Sequence, residues 1–288
     1  MMDRRLLKSN GHVAHVSLVG QVDADRFVEG ERFRVTTATA PIMRTPNDTG
    51  REREMLFGYD FIVLDEADDH VFGFSERDGY VGYTPRDALA KPASDVTHVV
   101  QVRQSYGKSS AALKQRDEVL LLHHGARLSV KEVEDGWAEC DWPRDKGEGS
   151  LYLPAAHLSP ISALEDDPAR VAERYLGAYY LWGGNSSVGI DCSGLVQAAL
   201  MACGIPCPGD SDMQKQALGH PMPQGSPYER GDILFWKGHV AMVVNSETLI
   251  HANAHHMAVA YEPIAEAIAR IAAQGDGDVT AHKRLERR

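Results

Sequence analysis

Two segments, Tyr180-Leu-Trp-Gly-Gly184 and Asp191-Cys-Ser-Gly-Leu-Val-Gln197, decide how the second half of the chain folds. From Cys192 onwards apolar residues recur at helical intervals as far as Gly204, and glycine is typical just after a helix, so Cys192 is expected to open a helix. Three strand-like runs follow, and they begin at Asp232, His239 and Thr248. Short connections between them predict a small antiparallel sheet, and therefore an α+β domain.

The helix and the sheet bring together residue types suited to nucleophilic chemistry. A thiol attacks well only as the thiolate, and the N-terminus of a helix or a neighbouring histidine lowers its pKa. We therefore expect Cys192 to be a nucleophile. His239, on one predicted strand, is expected to take the thiol proton, and His251, on the next strand, is expected to orient the ring of His239.

An acyl-transfer site also needs donors for the negative oxygen of the tetrahedral intermediate. The backbone N–H of Cys192, in the first turn of its helix, is one candidate, and the hydroxyl of Tyr180 is the second. A metal site is the competing interpretation, because His251, His255 and His256 lie close together in the sequence and Cys192 offers a thiolate. Ligand spacing does not support it, so neither a metal nor an organic cofactor is expected.

The first half of the chain has a different pattern, which predicts strands and few helices. Short β-like runs alternate with turn residues, as in Phe33-Arg-Val-Thr-Thr37 and Tyr80-Val-Gly-Tyr83, and the pattern recurs after residue 96. We interpret this as two β-barrels in tandem. The predicted domains are residues 1–95, 96–160 and 161–288, the last entered by a helix from Pro168 to Ala178 and closed by another from Pro263 to Ala273.

Composition excludes some partners. A formal net charge of −11 would repel polyphosphate, and no basic stripe interleaved with aromatic residues occurs, so nucleic acid is not an expected partner. No apolar stretch approaches the length that crosses a bilayer, and the basic N-terminus has no apolar segment behind it. We therefore expect a protein without a membrane partner, located in the cytoplasm.

From Tyr180 to about Ala254 the chain resembles the NlpC/p60 family of papain-like cysteine peptidases. The match runs through both opening segments, then Gly231-Asp-Ile-Leu-Phe-Trp236, Gly238-His-Val-Ala-Met-Val-Val244 and Leu249-Ile-His-Ala252. Two N-terminal bacterial SH3-like domains place it near the subgroup of γ-D-glutamyl-L-diamino acid endopeptidases. The resemblance implies a papain-like domain that cleaves the bond between γ-D-glutamate and a diamino acid in murein peptides.

The same resemblance implies residues that bind the substrate. In that subgroup the first barrel helps to require a free N-terminal L-alanine, through a carboxylate and a tyrosine that map to Glu54 and Tyr80. Glu52 competes for the first position, and Tyr80 could instead be a packing residue of a hairpin. A free ammonium group needs anionic partners, which Glu54 and Asp191 could provide. Ser193 and Ser211 match pocket residues of these relatives that would bind the γ-glutamyl carboxylate.

Two departures from the family pattern concern these finer contacts. The segment before Ser211 reads Cys207-Pro-Gly-Asp-Ser211 where many relatives carry Pro-Arg, and Phe57-Gly-Tyr59 replaces a common Gly-Glu. Two other functions are left open: a thiol amidase or acyltransferase on the same scaffold, and a cell-wall-binding module. The expected function is release of L-Ala-γ-D-Glu during cell-wall peptide recycling, and the diamino acid is left open between meso-diaminopimelate and L-lysine.

Overall fold

The computed structural model describes residues 2–114, 116, 118–144 and 147–286, so residues 1, 287 and 288 at the ends of the predicted domains lie outside it. Two compact units divide the chain, Met1–Ala163 and Leu164–Arg288. Each unit is built around its own buried apolar clusters.

The first part of the N-terminal unit is made of short strands with 3-10 turns at Val16–Leu18 and Arg86–Ala88. The strands are β1 (Val13–His15), β2 (Arg26–Val28), β3 (Glu31–Val35), β4 (Thr39–Ile42), β5 (Arg53–Leu56), β6 (Asp60–Ala67), β7 (His70–Ser75), β8 (Val81–Pro85) and β9 (Leu89–Ala90). A five-stranded sheet has the order β8-β7-β6-β3-β9, and β4 pairs with β5. Side chains from both sheets meet in one core, which includes Val35, Ile42, Met55 and Phe61.

The second part of this unit is also rich in strands, with a 3-10 turn at Ala155–His157. Its strands are β10 (His98–Val100), β11 (Gln104–Gly107), β12 (Leu120–His123), β13 (Arg127–Leu128), β14 (Val130–Glu134), β15 (Trp137–Arg144), β16 (Gly147–Pro154) and β17 (Leu158–Pro160). They form three small sheets around a core that also takes in Phe57 from the first part. The backbone joins there too, because Arg127 N donates to Phe57 O at 2.9 Å. A second separate barrel and its boundary at residues 95/96 stay predictions.

The C-terminal unit combines helices with one large sheet. Its elements are α1 (Pro168–Glu173), β18 (Tyr179–Tyr180), β19 (Gly189–Ile190), α2 (Cys192–Ala202), α3 (Ser211–Ala217), β20 (His220–Pro221), β21 (Ile233–Trp236), β22 (His239–Asn245), β23 (Thr248–Asn253), β24 (Ala258–Pro263), α4 (Ile264–Gln274) and β25 (Ala281–Arg284). The sheet order is β19-β18-β24-β23-β22-β21-β25-β20. Over the described part of the chain, no helix is long and apolar enough to cross a bilayer.

Alternation along the central strands gives this sheet two apolar faces. Val240 and Met242 face the cluster that contains α1 and α2, whereas Ala241 and Val243 face the cluster that contains α4. Both faces are therefore covered by helices, and the middle strands are buried. This places the middle of β23 in the interior, where a polar side chain needs a partner.

The predicted helix at Cys192, the three antiparallel strands and the helix after Pro263 are confirmed. The helix from Pro168 to Ala178 is shorter than predicted and ends at Glu173. After it the chain turns, Gly177 adopts a φ of 76°, and Gly177 N donates to Val259 O at 2.9 Å. A left-handed residue cannot continue an α-helix, so the backbone leaves the helix to pair with the sheet.

Candidate active site

Cys192 is the first residue of α2 and is 6% exposed. Asp191 caps this helix: its Oδ1 accepts from Gly194 N at 2.6 Å and from Ser193 Oγ at 2.9 Å. Its Oδ2 accepts from Gly183 N at 2.9 Å, so the same carboxylate ties the two opening segments of the sequence together. The thiol therefore lies at the positive end of the helix dipole.

Steric contacts explain why the residue two positions after Cys192 is a glycine. A methyl group at Gly194 would lie 2.5 Å from Asn185 Oδ1 and 2.6 Å from the backbone oxygen of Gly184. The first turn of α2 thus touches the backbone of the Trp182-Gly-Gly184 segment, and only glycine fits between them. These contacts explain why the two segments act as one structural unit.

His239 and His251 lie on neighbouring strands, and the structure brings them together. His239 Nε2 is 2.9 Å from His251 Nδ1, and the side chain of His251 is fully buried. Trp236 faces His239 across the β21–β22 turn, with ring centroids 5.7 Å apart. Helix α2 packs against β22 and β23, so the strands that carry both histidines lie beside the helix that carries Cys192.

Burial governs the protonation of this pair. Together with the neighbouring His251 and the charge of Arg270, it lowers the pKa of His239 to about 3. Burial likewise lowers the pKa of His251, although a hydrogen bond with Glu262 opposes the shift. Both rings are therefore neutral near pH 7, and a neutral imidazole is the form that accepts a proton.

Glu262 and Arg270 continue the line beyond His251. His251 Nε2 is 2.9 Å from Glu262 Oε2, and Arg270 binds both carboxylate oxygens, at 2.8 Å and 2.7 Å. Burial opposes ionisation of Glu262, but the bonds from Arg270 and His251 prevail and lower the pKa of the carboxyl. Sequence reasoning missed both residues. A glutamate within the otherwise apolar strand Ala258–Pro263 was the available signal.

Tyr180 lies close to the nucleophile. Burial raises the pKa of its hydroxyl, and so do the nearby negative charges of Cys192 and Asp191. The hydroxyl therefore stays protonated and keeps a hydrogen to donate. The predicted role in binding an oxyanion stays a prediction.

Ser193 and Ser211 lie in the first turns of α2 and α3, and these two turns are linked. Ser193 Oγ donates a hydrogen bond to Asp191 Oδ1, whereas Ser211 is the half-buried first residue of α3. Gln214, fully buried on α3, donates from Nε2 to Ser193 O at 2.8 Å and to Pro208 O at 2.9 Å. Gln214 thus holds the helix of Ser211 against the first turn of α2. Both serines stay predicted substrate contacts.

The other predicted contacts belong to the N-terminal unit. Glu54, on β5, is 7% exposed and accepts from Arg51 Nη1 at 2.9 Å. Glu52 is bound by Arg4, whose guanidinium also lies near the hydroxyl of Tyr80. Tyr80 is 3% exposed and precedes β8 in a core position, as its packing interpretation predicts. Each candidate carboxylate is therefore already paired with an arginine.

Part of the histidine cluster considered as a metal site does come together in the structure. Among the described residues, His251, His256 and Glu262 bring possible ligand atoms within 4.8 Å of one another. Both oxygens of Glu262 also accept from the cationic Arg270, which disfavours a second cation at that carboxylate. The expectation that no metal is needed stays a prediction.

Comparison with protein families identifies two regions. Residues 177–272 match the NlpC/P60 family, and residues 42–89 match a bacterial dipeptidyl-peptidase SH3 domain. The first region contains the whole line from Tyr180 to Arg270, including Cys192. The second contains Glu54 and Tyr80.

Related proteins extend over most of the chain. Dipeptidyl-peptidase 6 of Lysinibacillus sphaericus is 24% identical over 69% of this chain and 79% of its own length. A gamma-D-glutamyl-L-lysine dipeptidyl-peptidase of Bacillus cereus is 29% identical over 74% of this chain and 70% of its own. The crystal structure of a Bacillus cereus NlpC/P60 family protein superposes with a TM-score of 0.74 at 18% identity, covering 88% of this chain and 99% of that one. The chain therefore carries an NlpC/P60 cysteine peptidase domain at residues 177–272 and a bacterial dipeptidyl-peptidase SH3 domain at residues 42–89.

Proposed function

We propose that the protein cleaves the bond between γ-D-glutamate and a diamino acid in murein peptides with a free N-terminal L-alanine. The observation that carries the proposal is the His239–His251 pair on strands packed against the helix that Cys192 opens, within the NlpC/P60 region. The name of the gamma-D-glutamyl-L-lysine dipeptidyl-peptidase relative supports the class of bond, and both relatives are named dipeptidyl-peptidases. A requirement for a free amine would suit peptides already released from the wall, and hence recycling.

The proposed reaction has two acyl-transfer steps. His239 takes the proton of the Cys192 thiol, and the sulfur attacks the γ-carbonyl carbon of D-glutamate. Tyr180 and the N–H of Cys192 donate to the oxyanion that forms. Collapse of this intermediate breaks the C–N bond, the diamino acid leaves with the proton from His239, and water then hydrolyses the thioester.

Selection of the substrate is proposed to depend on its two charged ends. Glu54 and Asp191 would bind the α-ammonium group, and Tyr80 would block a longer N-terminal extension. Ser193 and Ser211 would bind the γ-glutamyl carboxylate. Because Arg51 already neutralises Glu54, binding of the ammonium group would require the Glu54–Arg51 pair to be shared or broken.

Product analysis by mass spectrometry tests the proposal. Purified protein is given L-Ala-γ-D-Glu-meso-diaminopimelate, the L-lysine analogue, the N-acetylated forms of both and intact peptidoglycan. We expect release of L-Ala-γ-D-Glu from at least one unblocked peptide and none from the acetylated forms. The Cys192→Ala protein controls for contaminating peptidases and should be inactive.

Other outcomes identify the alternatives. Cleavage of acetylated peptides or intact wall would contradict the requirement for a free amine. Transfer of the acyl group to added hydroxylamine in preference to water would favour the acyltransferase. Tight binding to peptidoglycan without any product would favour the wall-binding module.

A further inference from the structure

The side chains behind the proposed base form a continuous hydrogen-bonded line that ends in a fixed charge. It runs from His239 Nε2 to His251 Nδ1 at 2.9 Å, and from His251 Nε2 to Glu262 Oε2 at 2.9 Å. Arg270 then holds Glu262 at both oxygens and donates to Gln274 Oε1 at 2.8 Å. Arg270 and Gln274 both lie on α4, on the face of the sheet opposite α2.

We infer that Glu262, clamped by Arg270, is a positioning residue that sets the tautomer of His239 through His251. This inference rests on the proposed roles of Cys192 and His239. It assigns to Glu262 and Arg270 a function beyond the packing of α4 against the sheet.

The direction of each hydrogen bond follows from the charge at the end of the line. An ionised carboxylate only accepts, so His251 must carry its proton on Nε2 and donate it to Glu262. A neutral ring with a proton on Nε2 is an acceptor at Nδ1, so His239 donates from its own Nε2. Nδ1 of His239 is then the bare nitrogen. When the thiol S–H bond of Cys192 breaks, its proton goes to this nitrogen.

The opposite arrangement would disable the base. If His251 carried its proton on Nδ1, it would donate to His239 Nε2, and His239 would hold its own proton on Nδ1. That nitrogen could no longer accept from the thiol. Glu262 excludes this state because it would leave the buried Nε2 of His251 facing a carboxylate with no hydrogen between them.

Glu262→Gln tests the inference directly. Arg270 keeps donating to the amide oxygen, so the amide NH₂ faces His251 and donates to its Nε2. The tautomers of both histidines should then reverse. We expect kcat on the cleaved peptide to fall about 10²- to 10⁴-fold with little change in KM, because removing the group that fixes a catalytic histidine has effects of that order.

Two readouts separate tautomer control from a loss of folding. In the Cys192→Ala background at pH 7.5, where His239 has no thiol partner, ¹⁵N–¹H correlation spectra should show the proton of His239 on Nε2, moving to Nδ1 in Glu262→Gln. With the thiol present, iodoacetamide should alkylate Cys192 at pH 6 at least about tenfold more slowly in Glu262→Gln, since His239 would then have no bare Nδ1 to take the thiol proton as the sulfur reacts.

A matched control lies in the same unit. Asp232 is 1% exposed, binds His282 Nε2 at 2.7 Å and accepts from Arg284 at both oxygens, at 2.8 Å each. Asp232→Asn therefore disturbs a second histidine–carboxylate–arginine group with a buried carboxylate, whose hydrogen bonds go to His282 and Arg284 and not to His239. It should lower the thermal midpoint while leaving the His239 spectrum and the alkylation profile unchanged.

The outcomes also distinguish this inference from the proposed function. A proton on Nδ1 of His239 in the Cys192→Ala protein would overturn the inference without any further variant. An alkylation profile shared by Glu262→Gln and the unsubstituted protein would overturn it as well. Alkylation needs no peptide, so a result that matches expectation while no murein peptide is cleaved would refute the proposed substrate and leave the tautomer control standing.

Discussion

At the scale of single residues, burial decides what His239 can do. Its pKa is lowered to about 3, so at neutral pH the ring is uncharged and has a bare nitrogen that can accept the thiol proton. Its Nε2 is already bonded to His251, so Nδ1 is the nitrogen that would take the proton of Cys192 in the proposed mechanism. A side chain without a titratable nitrogen at this position would have neither property.

His239→Ala should therefore lower kcat by about 10²- to 10⁴-fold, the usual contribution of a general base, with KM nearly unchanged. The remaining activity should rise with pH up to the ordinary thiol pKa of about 8.5, because only spontaneous ionisation then supplies the thiolate. Steady-state kinetics on the cleaved peptide from pH 5 to 9 measure both effects. The control is His255→Ala, which replaces an exposed histidine in the same unit. A His239→Ala enzyme that kept a tenth of the original kcat would contradict the assignment of His239 as the base.

The same burial predicts how stability depends on pH. Below about pH 6.5 the unfolded chain protonates His239, whereas the folded chain does not until about pH 3, so the unfolded state binds more protons and stability falls as pH falls through that window. The effect is up to about 1.4 kcal/mol per pH unit for each such histidine. The lowered pKa of Glu262 acts only below its unfolded value of 4.5, so measurements between pH 7 and 5 isolate the histidines.

In the Cys192→Ala background, we thus expect the free energy of unfolding in urea to decrease from pH 7 to pH 5. Adding His239→Ala should make this decrease shallower, because one of the buried neutral rings is gone. His255→Ala serves again as the reference. Equal slopes with and without His239 would show that the ring is not held neutral by the fold.

At the scale of elements, the first turn of α2 depends on a single side chain. The carboxylate of Asp191 accepts from Gly194 N, Ser193 Oγ and Gly183 N, and so joins the helix to the preceding loop. Its negative charge predicts a contact with the substrate ammonium group, and the structure adds three contacts within the protein. The two roles make different experimental predictions.

Asp191→Ala should lower the free energy of unfolding by about 1 to 3 kcal/mol, since it removes a helix cap and leaves buried donors without an acceptor. Asp191→Asn keeps one acceptor oxygen and should be less destabilised. If Asp191 also binds the ammonium group, the Asn variant should raise KM for the unblocked peptide about tenfold while alkylation of Cys192 is unchanged. Denaturant unfolding and kinetics on the same two proteins measure this, and an unaltered KM would restrict Asp191 to the structural role.

Elements of this kind were predictable to different degrees. The helix at Cys192 and the strands of His239 and His251 follow from local apolar spacing, which a sequence displays directly. The early end of α1 does not, because Gly177 leaves the helix to pair with Val259, a residue far away in the chain. The roles of Glu262 and Arg270 were not predicted for the same reason. His251 lies on β23, Glu262 on β24 and Arg270 on α4, and only the folded unit joins the three side chains.

At the scale of the whole molecule, the proposed chemistry and the proposed selection of substrate belong to different compact units. Cys192, His239, His251 and Glu262 all lie in Leu164–Arg288, whereas Glu54 and Tyr80 lie in Met1–Ala163. The C-terminal unit has its own cores on both faces of its sheet. Reactivity of the thiol and preference for a free amine should therefore separate experimentally.

Residues 164–288 expressed alone should keep the alkylation of Cys192 at pH 6 and its dependence on His239, because every group in that line is retained. They should lose the preference for unblocked over N-acetylated peptides, measured as the ratio of kcat/KM values.

In the full chain, Glu54→Gln should reduce that ratio about 10- to 100-fold, because it removes one charged hydrogen bond of roughly 1.5 to 3 kcal/mol. Glu52→Gln is the matched comparison. If Glu52→Gln alone reduced the ratio, the carboxylate paired with Arg4 would be the one that binds the amine; if the C-terminal unit kept the full preference, the SH3 domain would have no part in selecting the substrate.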